Sequence, residues 1–215
     1  MKNPSLRAYC APFVIFLLLL WLVDLLPGQG VSNPRYWVFP LQTLVCGGLV
    51  IFFWKHYRLA APRGLLFTVA VALLVLGIWV SPQALFGRPP RLDGFDPTGS
   101  PSYWASLIFR FLRMAVVVPF VEEIFWRGFL LRYVIQEDFE SVPFGTFTWR
   151  SFAVVTVFFM LEHQPADYPA ALLTGMLYNW IAIRTRSLSS CILAHAITNL
   201  LLGFYIMATR QWGFW

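Results

Sequence analysis

The sequence predicts an all-α fold, a polytopic transmembrane helical bundle of about seven to eight helices, on three observations. Hydrophobic residues make up 59% of the 215-residue chain and charged residues only 12%, about half the charged share of a soluble domain. Several apolar runs approach or reach the about 17 to 25 residues that a helix needs to cross a bilayer. No alternating, turn-punctuated barrel pattern is present, and in hydrocarbon only helices and closed barrels satisfy their own backbone.

The first run, Ala11–Leu26, follows Lys2 and Arg7 and so imitates a secretory signal. Asp24 near its end, and the lack of a small-x-small cleavage site in DLLPGQG, predict an uncleaved first helix instead. Trp37–Trp54 and Leu65–Phe86 are strong spans. Tyr103–Phe120 opens a longer stretch, Trp104–Ile135, which exceeds one ordinary helix and carries Pro119 near its middle. It is either one tilted, kinked helix or a crossing followed by a partial one. Ser151–Leu161 is short and must recruit its flanks; Pro169–Ile183 and Leu188–Ala208 complete the set. One integral membrane domain is expected over 1–215.

The formal net charge of +6 would suit nucleic acid, but its placement argues against that partner. Lys55, Arg58 and Arg63 share one loop, Arg184 and Arg186 another, and Lys2 and Arg7 the N-terminus, as the positive-inside bias places cytoplasmic residues. An integral protein of the bacterial inner (cytoplasmic) membrane with a cytoplasmic N-terminus is expected. The mixed-charge loop 87–103 falls on the opposite side. A single net crossing through Trp104–Ile135 keeps Arg184 and Arg186 inside and gives seven crossings; an eighth is the alternative. Cys10, Cys46 and Cys191 lie in or beside apolar segments without any CxxC pairing and read as small packing residues.

Polar residues inside the apolar runs carry the chemistry. In VPFVEEIFWRGF, Glu123 and Arg127 are four apart and can pair on one helix face, reducing each other's cost of burial. Glu122 is turned about 100° away and left to face something else. The structural alternative is a pair of glutamates capping a helix that begins after Pro119. In FFMLEHQP, His163 ends an apolar run one turn after Phe159, while Glu162 is expected to point elsewhere and cap or solvate the helix end. In CILAHAITNLLLGFY, His195 and Asn199 are four apart and stack on one face; interhelical hydrogen-bond glue would also account for them. Two of the three histidines in the chain fall in these segments, and His56 lies in the basic loop. A carboxylate, two imidazoles and an asparagine on three helices can activate water and stabilise an oxyanion.

EEIFWR fits an EExxxR pattern, FMLEH fits FxxxH, and HAITN fits HxxxN, in that order on successive apolar segments. The chain thereby resembles the CPBP family, the type II CAAX prenyl endopeptidase or ABI family, including its bacterial CAAX-protease-related members. The resemblance covers Glu122 to Asn199, and a family core of about 104–208 is expected. It implies a bundle of membrane helices around a polar cavity and a glutamate-dependent endopeptidase that needs no cofactor. It also implies that Glu122 and His163 activate water, that His195 and Asn199 form the oxyanion hole, and that Glu123 and Arg127 hold the site's shape. The implied partners are membrane lipid and a peptide or membrane-anchored protein, cut near its C-terminus. Bacterial members act on peptides as well, so a prenyl group does not carry over with the motifs. Some members accompany exosortase protein-sorting systems.

Two other readings stand beside this one. Glu122, His163 and His195 would also suit zinc, with a fourth position open for water, although no HExxH occurs. A non-catalytic membrane immunity or scaffold protein would use the same Glu/Arg/His/Asn cluster only to stabilise the bundle.

Overall fold

The computed structural model describes residues 4–26, 33–92, 94, 96–100 and 102–215. Lys2 and the PGQG end of DLLPGQG, on which part of the first-helix expectation rests, lie outside them. The described residues form seven α-helices joined by short turns and irregular loops, with no strand among them. The helices are α1 (Pro4–Leu25), α2 (Arg35–Phe52), α3 (Leu65–Ala84), α4 (Tyr103–Tyr133), α5 (Trp149–Leu161), α6 (Tyr168–Thr185) and α7 (Leu188–Thr209). Five of them, α1 to α4 and α7, contain stretches long and apolar enough to cross a membrane. Large apolar side chains such as Leu18, Phe52, Leu66 and Trp149 point outward, an arrangement that suits lipid and would be an aggregation liability in water.

The first helix packs along α2 and against α4, where Phe13 stacks on Phe125, so that Ala8, Tyr9, Phe13 and Phe16 are buried. Gln42 on α2 is fully buried and donates to the Phe16 carbonyl at 2.7 Å, a bond that an apolar interface holds in one register. Helix α3 lies against α6 and α7, and α5 against α6. Successive helices run in opposite directions. The start of α1 and the connections 53–64, 134–148 and 186–187 therefore gather at one end. There Tyr57 donates to the Ala8 carbonyl, and Tyr9 packs edge-on against Tyr57 and Phe139. At the other end Arg91 reaches Asp167 and accepts, through its carbonyl, the N–H of Gly213.

The long fourth segment is one continuous helix of 31 residues, so Tyr103–Tyr133 supplies a single candidate span rather than a crossing followed by a separate partial helix. At about 1.5 Å per residue it is longer than the about 30 Å hydrocarbon core. Two π-helical stretches, Arg113–Val117 and Ile124–Leu130, interrupt it on either side of the Glu122–Glu123 pair. The first has an identifiable cause. In π register the Val118 N–H bonds to the Arg113 carbonyl, so the next bond would run from residue 119 to Met114. Pro119 has no N–H to give, and the Met114 carbonyl is left to another donor.

By contrast α5 is only 13 residues, about 20 Å. Thr148 caps its start by accepting from the Ser151 N–H, and its regular helix ends at Leu161, with Pro165 shortly beyond. Simple crossing counts put His163 on the far side of the membrane from Glu122 and His195. The short α5 removes that difficulty, because it stops inside the bundle and delivers His163 to the same cavity.

Candidate active site

The cavity occupies about 320 Å³ between α1, α3, α4, α6 and α7, and Glu122, Glu162, His163, His195 and Asn199 all line it. It extends to the end of the bundle that carries Arg91, Gln164, Asp167 and the C-terminal Gly213–Trp215 stretch. Arg91 and Asp167 form a two-bond ion pair at that end, at 2.7 and 3.1 Å.

Behind the cavity wall, Arg127 holds three helices together. Its side chain is completely buried and donates to Glu123 Oε1 at 3.0 Å, to Asn179 Oδ1 at 3.1 Å and to the Gly175 carbonyl at 3.3 Å. The guanidinium lies over the rings of Phe159 and Tyr178. Asn179 passes the connection on, donating to Thr156 Oγ1 and to the Phe152 carbonyl on α5. Gly175 permits this approach: a Cβ there would come within 3.3–3.4 Å of Phe159 and Thr156. The i, i+4 pairing expected of Glu123 and Arg127 is present, and the pair is wired to α5 and α6.

Glu123 has a second partner that helix spacing alone does not reveal. Its Oε1 also meets His195 Nδ1 at 2.9 Å, bringing α7 to α4. With Nδ1–H donated to a carboxylate, Nε2 is the nitrogen left for the cavity. Tyr178 packs against the imidazole and donates to Thr198, which donates to the Ala72 carbonyl on α3. His195 is therefore fixed by a ring, a carboxylate and an anchored helix.

Asn199, one turn further on, donates from Nδ2 to the Met114 carbonyl at 2.8 Å. This is the acceptor that Pro119 leaves open. One carboxamide N–H is held by the backbone, and the second remains for a ligand.

The other two expected residues face the same space. Glu122 makes no hydrogen bond to another described side chain and is 7% exposed. His163 Nδ1 meets the Phe159 carbonyl at 2.8 Å, so that nitrogen carries the hydrogen and Nε2 is free. Its ring also packs against Trp79 and Phe159.

Glu162 requires a correction. Expected to cap or solvate a helix end, it lines the cavity instead, and its Oε2 accepts from the Trp126 indole at 3.1 Å. Glu162 keeps helical dihedrals and its N–H still bonds to the Phe158 carbonyl, so it is turned away from His163 as expected. The cavity reaches in both directions, and both side chains line it. Asn179 and Gly175 were also missed; four apart in an apolar run, they carried the same spacing signal that exposed His195 and Asn199. Among the described residues, no three His, Cys, Asp or Glu side chains form a group that could hold a metal ion. Glu122, His163 and His195 thus do not assemble as a zinc ligand set.

Residues 104–201 match the family model described as type II CAAX prenyl endopeptidase Rce1-like. A CAAX-protease-like domain is therefore present over that part of the chain, which runs from the second residue of α4 into α7 and contains Glu122, Glu123, Arg127, Glu162, His163, His195 and Asn199. No curated protein and no solved structure matches the chain.

Proposed function

We propose that the protein is a glutamate-dependent intramembrane endopeptidase acting on a peptide or membrane-anchored protein. The observation that carries this reading is the convergence of Glu122, His163, His195 and Asn199 on one cavity, within the stretch that matches the endopeptidase model. A scaffold needs the Glu123–Arg127–Asn179 network. It gains nothing from two carboxylates and two imidazole nitrogens left facing open space, where buried polar groups are costly.

In the proposed reaction, water sits between Glu122 and His163 Nε2. Its oxygen attacks the scissile carbonyl carbon while its proton passes to this pair. The oxyanion takes the free N–H of Asn199 and, when the imidazole carries both protons, the N–H at His195 Nε2. Glu123 holds the imidazole in that orientation. The tetrahedral intermediate then breaks its C–N bond, and the leaving amine receives the proton stored on the Glu122–His163 pair. A low-dielectric cavity strengthens each of these interactions relative to water.

The side of access follows from charge. The end opposite the cavity mouth carries Lys55, Arg58, Arg63, Arg132, Arg184 and Arg186, the distribution of a cytoplasmic face. We infer that the mouth at Arg91 and Asp167 opens on the non-cytoplasmic side, and that substrates present their cleavage site there.

The test compares membrane-protein termini by mass spectrometry in cells bearing wild-type protein or Glu122→Gln. Termini that depend on wild type and disappear with the variant, at equal protein level, are the expected result. Identical termini in both would leave the scaffold reading standing.

A further inference from the structure

A second cleft, of about 350 Å³, lies at the end of the bundle away from the catalytic cavity. Four arginines line it: Arg58, Arg63, Arg132 and Arg186. Glu140 is the one carboxylate among the lining residues, so the cleft keeps a strong positive excess. None of the four guanidiniums is ion-paired among the described residues. Arg132 is buried, lies over the rings of Tyr9 and Phe139, donates to the carbonyls of Gly128 and Val142, and also interacts with the Tyr9 hydroxyl and, through charge, with Glu140.

The segments that carry these charges are pinned rather than loosely gathered. Ser190, fully buried at the start of α7, accepts from the Arg63 N–H at 2.8 Å and donates to the Arg63 carbonyl at 2.9 Å. Arg186 ends α6 with φ 51°, a left-handed position that glycine fills at less steric cost. Gly145 packs directly on it: a Cβ at 145 would lie 2.5 Å from the Ala182 carbonyl oxygen and 3.1 Å from Arg186 Cγ. Arg210 ends α7 in the same left-handed way, an ordinary helix ending; what sets Arg186 apart is the loop packed against it at the cleft.

Depth identifies the ligand. Arg63 stands two residues before the span Leu65–Ala84, Arg132 is one residue from the end of Tyr103–Tyr133, and Arg186 stands two residues before Leu188–Thr209. Three of the charges thus sit where spans leave the hydrocarbon, at the level of lipid headgroups. Basic pockets at this level between membrane helices take phosphate-bearing headgroups, and guanidinium binds phosphate in two-bond geometry. We propose that this cleft binds the phosphate of an anionic phospholipid headgroup, independently of the catalytic reading.

The test uses purified protein in detergent, with phosphatidylglycerol, phosphatidylcholine or inorganic phosphate added and bound species counted by native mass spectrometry. Wild type is expected to retain phosphatidylglycerol over phosphatidylcholine. Arg58→Gln, Arg63→Gln and Arg186→Gln, all at exposed side chains, should each weaken that retention by about fivefold. Arg184→Gln, exposed at the same end but outside the cleft, should leave it unchanged. Arg186→Gly should melt higher than wild type without lipid, yet still lose retention, which separates binding from folding. Equal retention by wild type and the Arg58/Arg63/Arg186 triple variant would overturn the site. Inorganic phosphate binding as tightly as the lipid would overturn the lipid as its source.

Discussion

His195 and Glu123, 72 residues apart in the chain, meet through a 2.9 Å contact between Nδ1 and Oε1. The same oxygen accepts from Arg127 at 3.0 Å, so one carboxylate joins the structural ion pair to the proposed oxyanion site. Glu123→Gln keeps an accepting oxygen but removes the charge that both partners share. Activity should fall by about 10²–10³-fold, the usual cost of losing one oxyanion donor, because His195 loses the carboxylate that orients it. The loss should appear in kcat with KM nearly unchanged, in steady-state assays on a cleavable peptide. A drop confined to protein yield would mean that Glu123 serves the fold alone.

Arg127 should behave differently. Arg127→Met leaves Glu123 buried with its charge no longer balanced, a change that costs about 3–5 kcal/mol. Folded yield in detergent is expected to fall sharply. Adding Glu123→Gln removes the stranded charge, so the double variant should recover part of that yield while remaining poorly active. Equal yields for the single and double variants would show that the hydrogen bonds to Asn179 and Gly175 matter more than the charge.

The Asn199–Met114 bond gives a third prediction, because Pro119 created its acceptor. Asn199→Ala leaves a buried carbonyl without a donor, at about 1–3 kcal/mol, and removes one proposed oxyanion donor, worth about 10²–10³ in kcat. Pro119→Ala supplies an N–H that can take the Met114 carbonyl in π register. The Pro119→Ala/Asn199→Ala protein should therefore melt above Asn199→Ala alone and stay inactive. Strictly additive melting shifts would disconnect the two residues.

The course of the chain was legible because apolar runs of bilayer length are a coarse, strong signal. The four proposed catalytic residues were legible for the same reason reversed: polar groups stand out in such runs. Glu162 was misread because a residue turned about 100° from His163 was taken to leave the site, whereas the cavity reaches both and Trp126 on the distant α4 gives Glu162 a partner there. The π stretches of α4 had just one sequence cue, Pro119. The bonds from Glu123 to His195 and from Asn199 to Met114 join distant segments, and no local spacing encodes them.

Gly175 offers a test of packing apart from chemistry. The close approach of α5 to α6 leaves a Cβ at this position only 3.3–3.4 Å from Phe159 and Thr156. Gly175→Ala asks these neighbours to give by a few tenths of an ångström, and overpacking of this kind costs about 1–3 kcal/mol. The gain in helix propensity, about 1 kcal/mol, offsets part of that. A modest fall in melting temperature is expected, with activity falling more than stability, because α5 carries Glu162 and His163 at its end. Gly175→Val should lower both strongly.

Orientation can be read by chemical labelling. Lys55 and Arg88 are exposed at opposite ends of the bundle, and the three native cysteines must first be replaced. Cys46 and Cys191 are buried and Cys10 is half-buried, so alanine at each is the substitution that adds no polar group to an apolar site. In that background Arg88→Cys should react with a membrane-impermeant maleimide on intact cells, and Lys55→Cys only after the membrane is opened. The reason is the basic excess around Lys55, which the positive-inside bias holds on the cytoplasmic side. Since Arg88 shares its end with the Arg91–Asp167 pair at the cavity mouth, this labelling pattern would also put the proposed catalytic opening on the non-cytoplasmic face. The reverse pattern would place the cavity toward the cytoplasm, and substrates would then be sought among proteins that have not been exported.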